Sequence, residues 1–210
     1  MKHIVPYKTA RNALAALDNG GRFYNLITQA NDGHVTRAEL ARVAGVFNDR
    51  QKMVLYLEMS ISELDQQAVK DIRSSLSPNL KLAYKRYCPQ QLLPSEAQLQ
   101  GRISSNAIIT GVPKFVKSNS DFTGFIMIPI STGKTTTFMM VPIIDVYDVY
   151  EIRDNKTARE FLIAHARGSA KLPAKPVRCG GIIKELKPDK KPKTKTKPKK
   201  FLETLYYALV

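Results

Sequence analysis

The segment FIMIPISTGKTTTFMMVPI, residues 125–143, decides how the second half of this chain folds. Its centre, Gly133-Lys134-Thr135, matches the end of a phosphate-binding loop. Such a loop also needs a glycine five positions before Gly133 and a helix after the threonine. Ile128 stands at the earlier position, and the residues after Thr135 are β-branched, aromatic or sulfur-containing up to Pro142. We therefore do not expect a nucleotide-binding loop here.

The same segment has the pattern of a β-hairpin. Residues 125–130 read FIMIPI and residues 138–143 read FMMVPI, so two similar apolar strands flank the STGK of residues 131–134. Serine, threonine and glycine suit a tight turn between paired strands. Because both strands are apolar at nearly every position, we expect both of their faces to be covered.

The residues before about 95 have helical patterns. Thr36-Arg37-Ala38-Glu39 is a capping box, and apolar residues follow it at helical spacing. A helix is also expected over residues 22–30. Pro89 and Pro94 are expected to end the last helix and to begin a linker. Other helix starts are expected at Thr9, at Asn48 or Asp49, at the capping pattern Ser62 to Asp65, and at Pro78.

After about Asn106 the sequence becomes rich in β-branched and aromatic residues, which indicates strands. Pro142 should break the longest run, since proline cannot donate to a strand ladder. Helices followed by strands favour an α+β fold, with an N-terminal helical part and then a mainly antiparallel sheet or small barrel-like part. The expected strands are 107–116, 122–130, 135–152, 160–166 and 177–186.

We divide the chain into four parts. Residues 1–95 form a helical part and residues 96–186 a β part. Residues 187–200, KPDKKPKTKTKPKK, form a basic loop that cannot bury apolar surface. Residues 201–210 are apolar again and are expected to pack on the body as a strand or short helix; the alternative is insertion into a partner.

Almost half of the net charge of +15 lies in the basic loop, which has eight lysines and one aspartate, and the rest of the chain is only mildly basic. Clustered lysines supply phosphate contacts, so nucleic acid or another polyanion is the expected partner. The alternative is an interaction or assembly subunit without a nucleic-acid role, in which the loop only keeps the protein in solution. That subunit would meet another protein or form a homo-oligomer.

Residues 35–54, VTRAELARVAGVFNDRQKMV, resemble a helix-turn-helix, with Gly45 in the turn. This resemblance implies that Arg50, Gln51 and Lys52 face a DNA groove or its phosphates. Gln51 departs from the pattern, because an apolar residue is usual at its position. The alternative is two ordinary packed helices.

Catalytic and metal-binding patterns are weak. The histidines His3, His34 and His165 are scattered, and the cysteines lack a CxxC partner. Asp145, Asp148, Glu151 and Asp154 recur every third residue, so on a strand they alternate between faces. A calcium loop around Gly33 would lack most of its carboxylates. We expect no enzyme activity, no metal and no cofactor.

The sequence therefore predicts a non-catalytic binding protein. Without a signal peptide or an apolar run of about 18 residues, we expect a cytoplasmic protein with no membrane partner. By analogy with small oligonucleotide-binding barrels, Phe161, Arg167 and Arg178 are candidates for a binding face. The predicted nucleic-acid contacts are Arg50, Lys52, Arg167, Arg178, Lys190, Lys191, Lys193, Lys195, Lys197, Lys199 and Lys200.

Overall fold

The fold has helices and strands in similar proportion and belongs to the α+β class, as predicted. A computed structural model describes residues 1–19, 30–116, 124–131, 136–142, 146–153, 159–188 and 199–210. The helices are α1 Ala10–Leu17, α2 Arg37–Ala44, α3 Arg50–Ser60, α4 Gln66–Ser75, α5 Pro78–Tyr87 and α6 Pro94–Gln100. The strands are β1 Lys2–His3, β2 Gln90–Leu92, β3 Asn106–Phe115, β4 Gly124–Ser131, β5 Thr136–Pro142, β6 Tyr147–Arg153, β7 Glu160–Ala166, β8 Val177–Pro188 and β9 Lys199–Leu209.

The chain divides into two compact units. The helical unit comprises Lys2–Gln90 with Tyr206–Ala208. The β unit comprises Gln91–Leu205 with Met1 and Leu209–Val210.

Side-chain caps begin the first four helices, α1 to α4, whereas α5 begins at Pro78 without a side-chain cap. The cap of α4 is Asp65, the last residue of the predicted Ser62 to Asp65 pattern, and not Ser62. The Glu39 amide donates to the Thr36 hydroxyl at 3.3 Å, and the Glu39 carboxylate accepts from the Thr36 amide at 2.7 Å. Asp49 caps α3 through the Lys52 amide at 3.0 Å. Gly45 ends α2 with a φ of 72°, a conformation that glycine adopts at little cost. The two helices of the predicted helix-turn-helix therefore form.

The centre of the helical unit is α3. Every residue from Met53 to Ser60 is buried, so this helix is covered on all sides over its last two turns. Glu58 lies within this stretch and is held by an ion pair with Arg73, at 2.9 Å between the guanidinium and the carboxylate. The Tyr84 hydroxyl donates to the same carboxylate at 2.8 Å.

The β unit is built on a curled, mainly antiparallel sheet and not on a closed barrel. Its strand order is β9-β7-β6-β3-β8-β4-β5, and β8 also pairs with β9. β7 and β9 are parallel, and the other registered pairs of this unit are antiparallel. Gly181 permits the close approach of β8 to β9, since a Cβ atom there would overlap the Glu203 carbonyl oxygen. The apolar core between these strands contains Val149, Leu162, Ala164, Leu186 and Phe201.

The structure corrects the expectations for Pro94 and Phe161. Pro94 does not begin a linker but occupies the first turn of α6, where its missing amide costs nothing and Glu96 accepts from the Leu93 amide at 3.2 Å. Phe161 is not on a binding face, because it is 2% exposed. Outside the described residues lie 22–29 of the helix predicted over 22–30, 132–134 of the turn predicted over 131–134, and 189–198 of the basic loop. Ala30 is in a turn, and Ser131 is the last residue of β4.

The hairpin itself is confirmed. β4 pairs with β5 in antiparallel register from Phe125 opposite Pro142 to Ser131 opposite Thr136. β5 is described as far as Pro142, and residues 143–145 lie outside the described residues, so the break expected at Pro142 stays a prediction. In the described part of the chain, every helix is too short or too polar to cross a bilayer.

Candidate functional site

A cleft of about 460 Å³ opens at one end of the β unit. Its walls come from the end of β3, from β6 and from the loop that follows β7. Strand pairing brings the first two together, because Phe115 lies opposite Tyr150 and Lys114 lies opposite Glu151 in the β3–β6 register. The lining residues are Val112, Pro113, Lys114, Phe115, Tyr150, Lys171, Leu172 and Ala174.

The floor of the cleft is aromatic. The rings of Phe115 and Tyr150 meet edge to face, with centroids 5.3 Å apart and an interplanar angle of 73°. This geometry is favourable because the positive edge of one ring meets the negative face of the other. Tyr150 is 2% exposed, whereas Phe115 is 44% exposed. Tyr150 thus supports Phe115 from within, and Phe115 presents its ring to solvent.

Positive charge stands beside this aromatic surface. The Lys171 ammonium lies 5.4 Å from the centroid of the Phe115 ring, a cation–π distance. Lys114, the neighbour of Phe115 on β3, also lines the cleft and is exposed. The eight lining residues include no carboxylate, so the charge that they bring is purely positive.

A buried hydrogen-bond chain fixes Tyr150. The Leu172 amide donates to the Tyr150 hydroxyl oxygen at 3.3 Å, and that oxygen lies 3.4 Å from Nε2 of His165. Nδ1 of His165 lies 3.1 Å from the Ala166 carbonyl oxygen, which can only accept. Nδ1 therefore holds the proton of a neutral imidazole, and Nε2 accepts from the Tyr150 hydroxyl.

Burial keeps both groups of this pair uncharged. Desolvation lowers the pKa of His165 from its ordinary 6.5, against smaller opposite effects of the Ala166 carbonyl and Asp148. Desolvation also raises the pKa of Tyr150, and the hydrogen bond from the Leu172 amide lowers it by a smaller amount. Since His165 is fully buried, it supports Tyr150 and does not face a ligand in the cleft.

The arrangement suits binding. A flat group can stack on Phe115, and an anion attached to that group can meet the ammonium groups of Lys171 and Lys114. General acid–base catalysis requires a titrating side chain within reach of the reacting atoms. Of the described titratable groups beside the cleft, His165 is fully buried and Tyr150 is 2% exposed.

The predicted contacts of the helical unit flank the start of α3. Arg50 is exposed in the first turn. The Lys52 ammonium lies 3.2 Å from the Asp49 carboxylate, so its charge is partly neutralised. Because α3 is buried from Met53 onward, only its first turn is accessible, which does not suit a helix that lies along a DNA groove.

The predicted contacts of the β unit lie on or next to three different strands, β7, β8 and β9. Arg167 follows β7, with its Nε 3.9 Å from the Asp148 carboxylate. Arg178 lies on β8 opposite Thr110. Lys199 and Lys200 begin β9, where the Lys200 ammonium donates to the Gly101 carbonyl at 2.7 Å. Lys190, Lys191, Lys193, Lys195 and Lys197 lie outside the described residues.

The cleft residues were missed from the sequence, although one signal was available. Phe115 stands between Lys114 and Lys117, an alternation of basic and aromatic residues that is typical of nucleic-acid contacts. Lys171 and Tyr150 had no such signal, because each is brought to Phe115 only by the tertiary fold.

The described residues hold no group of three or more histidine, cysteine, aspartate or glutamate side chains that could bind a metal ion. The sequence matches no protein-family model, and no curated protein matches it.

Proposed function

We propose that this protein is a non-catalytic binding protein for single-stranded nucleic acid, and that the cleft of the β unit holds a base. The observation that supports this most directly is the exposed Phe115 ring with the Lys171 ammonium 5.4 Å from its centroid. Stacking of a base on an aromatic side chain contributes about 1–3 kcal/mol and is tolerant of sequence.

The size and charge of the cleft agree with this ligand. Its volume of about 460 Å³ lies within the range of small-molecule sites and accommodates a nucleoside. Lys114 and Lys171 would contact the phosphates on either side of the stacked base. The net charge of +15 adds a long-range attraction for a polyanion.

A single strand fits better than a duplex. A base must leave its stack to lie on Phe115, and in a duplex this costs a few kcal/mol for each base. In the helical unit, α3 offers a duplex only its first turn.

We propose a cytoplasmic location for this protein. Cys88 and Cys179 are free thiols, which suits a reducing compartment.

The test is fluorescence anisotropy with a labelled oligothymidine of about 15 nucleotides and with a duplex of the same length. We expect the single strand to bind more tightly, and Phe115→Ala to weaken its binding about tenfold at constant salt. Phe47→Ala is the matched control, because Phe47 is a 55% exposed phenylalanine in the helical unit. Equal affinity of wild type and Phe115→Ala, or tighter binding of the duplex, would refute the proposal.

A further inference from the structure

In the described part of the chain, β5 has an unpaired outer edge and exposed side chains at its centre. β5 is the last strand of the order, and β4 is its partner among the described strands. β4 in turn joins β8 at Gly124 and Phe125. The first two residues of β4 thus join the β4–β5 ribbon to the sheet, and the later residues of β4 have no registered pair with β8.

The exposure of β5 differs from the covered faces that its sequence predicts. Met139 and Met140 are 49% and 54% exposed. Successive residues of a strand point to opposite faces, so both faces of β5 are accessible at this place. β5 is an apolar strand at the edge of the sheet, and among the described residues no strand pairs with its outer edge.

The usual protection of an edge strand is missing. Natural edge strands are blunted by charged side chains, bulges or proline, which prevent pairing with another chain. β5 contains no charged residue, and its one proline, Pro142, is its last residue. β4 contains no charged residue either, and its Pro129 lies opposite Phe138 on the inner side of the ribbon, not on the outer edge of β5. The edge of β5 is therefore suited to β-strand addition.

The sequence of the ribbon indicates which strand would be added. FIMIPI at 125–130 and FMMVPI at 138–143 are near copies, so β5 already pairs in antiparallel register with a strand of almost its own sequence. The β5 strand of a second copy of the chain is a similar partner for the outer edge of β5, the edge that faces away from β4. Two copies that each have a net charge of +15 repel each other, and this uncharged ribbon is a place where they can approach.

We propose that two copies of this chain associate through antiparallel pairing of β5 with β5 of the second copy. Such pairing is isologous and closes at two copies. Full overlap of the seven residues of β5 places Met139 on the twofold axis, opposite the partner's Met139. The shared edge is about 24 Å long, so the dimer is expected to be weak and to require a high protein concentration.

The first experiment measures molar mass by light scattering over a range of protein concentrations, in high salt so that nucleic acid cannot bridge the copies. We expect the mass of the wild type to rise from one chain to two, and the double variant Met139→Lys, Met140→Lys to remain at one. Leu99→Lys is the matched control, because Leu99 is a 65% exposed apolar residue of α6, and it should dimerise like the wild type. A wild type that stays monomeric, or a double variant that still dimerises, would overturn the proposal.

The second experiment tests the register. In antiparallel pairs the Cα atoms are about 4.5–5.5 Å apart, within the range of a disulfide. Met139→Cys in a Cys88→Ser background should therefore form a covalent dimer under mild oxidation, and Leu99→Cys in the same background should not. Dimerisation without this cross-link would contradict β5–β5 pairing. Sedimentation of the wild type with uncharged phosphatidylcholine vesicles, abolished in the double lysine variant, would assign the ribbon to a membrane surface instead.

Discussion

The Phe115 ring lies edge to face against Tyr150, 5.3 Å between centroids, and the Tyr150 hydroxyl in turn meets the Leu172 amide at 3.3 Å. The exposed ring of the cleft is thus positioned by a buried one, and that buried ring is fixed by the loop after β7. The first prediction concerns this support.

Tyr150→Phe keeps the aromatic contact but removes the hydroxyl. The Leu172 amide and Nε2 of His165 would then be without their partner in a buried place, which costs about 1–3 kcal/mol. We expect this decrease in the free energy of unfolding, measured by urea denaturation. Oligothymidine binding should change much less than in Phe115→Ala, and a full loss of binding with normal stability would show that the hydroxyl contacts the ligand.

Stability should depend on pH through His165. Its pKa is lowered by burial in the folded state, so below 6.5 the unfolded chain binds more protons than the folded one. The contribution to stability is complete above this pH and is lost as the pH falls toward the folded pKa. We expect the free energy of unfolding to decrease between about pH 7 and 5 more steeply in the wild type than in His165→Gln. Parallel profiles would contradict the buried neutral imidazole.

The basic loop should control the salt dependence of binding. Replacing Lys190, Lys191, Lys193, Lys195 and Lys197 with glutamine is expected to reduce the slope of log affinity against log salt by about 0.7 for each phosphate that the loop no longer neutralises. Lys199 and Lys200 stay in place because they begin β9. In the control variant, the same five lysines are replaced with arginine, which keeps the positive charge, and the salt dependence of binding should not change. An unchanged slope in the glutamine variant would mean that the loop binds no phosphate.

Arg73→Met should destabilise the helical unit. It leaves Glu58, which is 7% exposed, without its cation. Breaking a buried pair from one side costs about 3–5 kcal/mol, and we expect about 2–3 kcal/mol because Arg73 is partly exposed and Tyr84 still donates. Adding Glu58→Gln should recover part of this stability in thermal or urea unfolding. Lys8→Ala, which breaks the exposed pair with Glu63, should change stability by less than about 1 kcal/mol.

The sequence by itself determined the parts of the fold that depend on near neighbours. Thr36 and Glu39 are three residues apart, and their capping box follows from the local geometry of a helix start. The pairing of β4 with β5 likewise follows from two similar apolar runs separated by a short polar segment. The α+β class then follows from the order of these elements.

Only the tertiary structure decided where the cleft lies. Phe115 and Tyr150 meet through the register of two strands, and the loop after β7 adds Lys171. A register is selected by the burial of whole strand faces against the rest of the sheet, and this is not encoded in any short stretch. Met139 and Met140 are exposed, although the apolar sequence of their strand predicted that both faces would be covered. Whether the side chains of an edge strand are covered depends on which other strands the fold brings next to it.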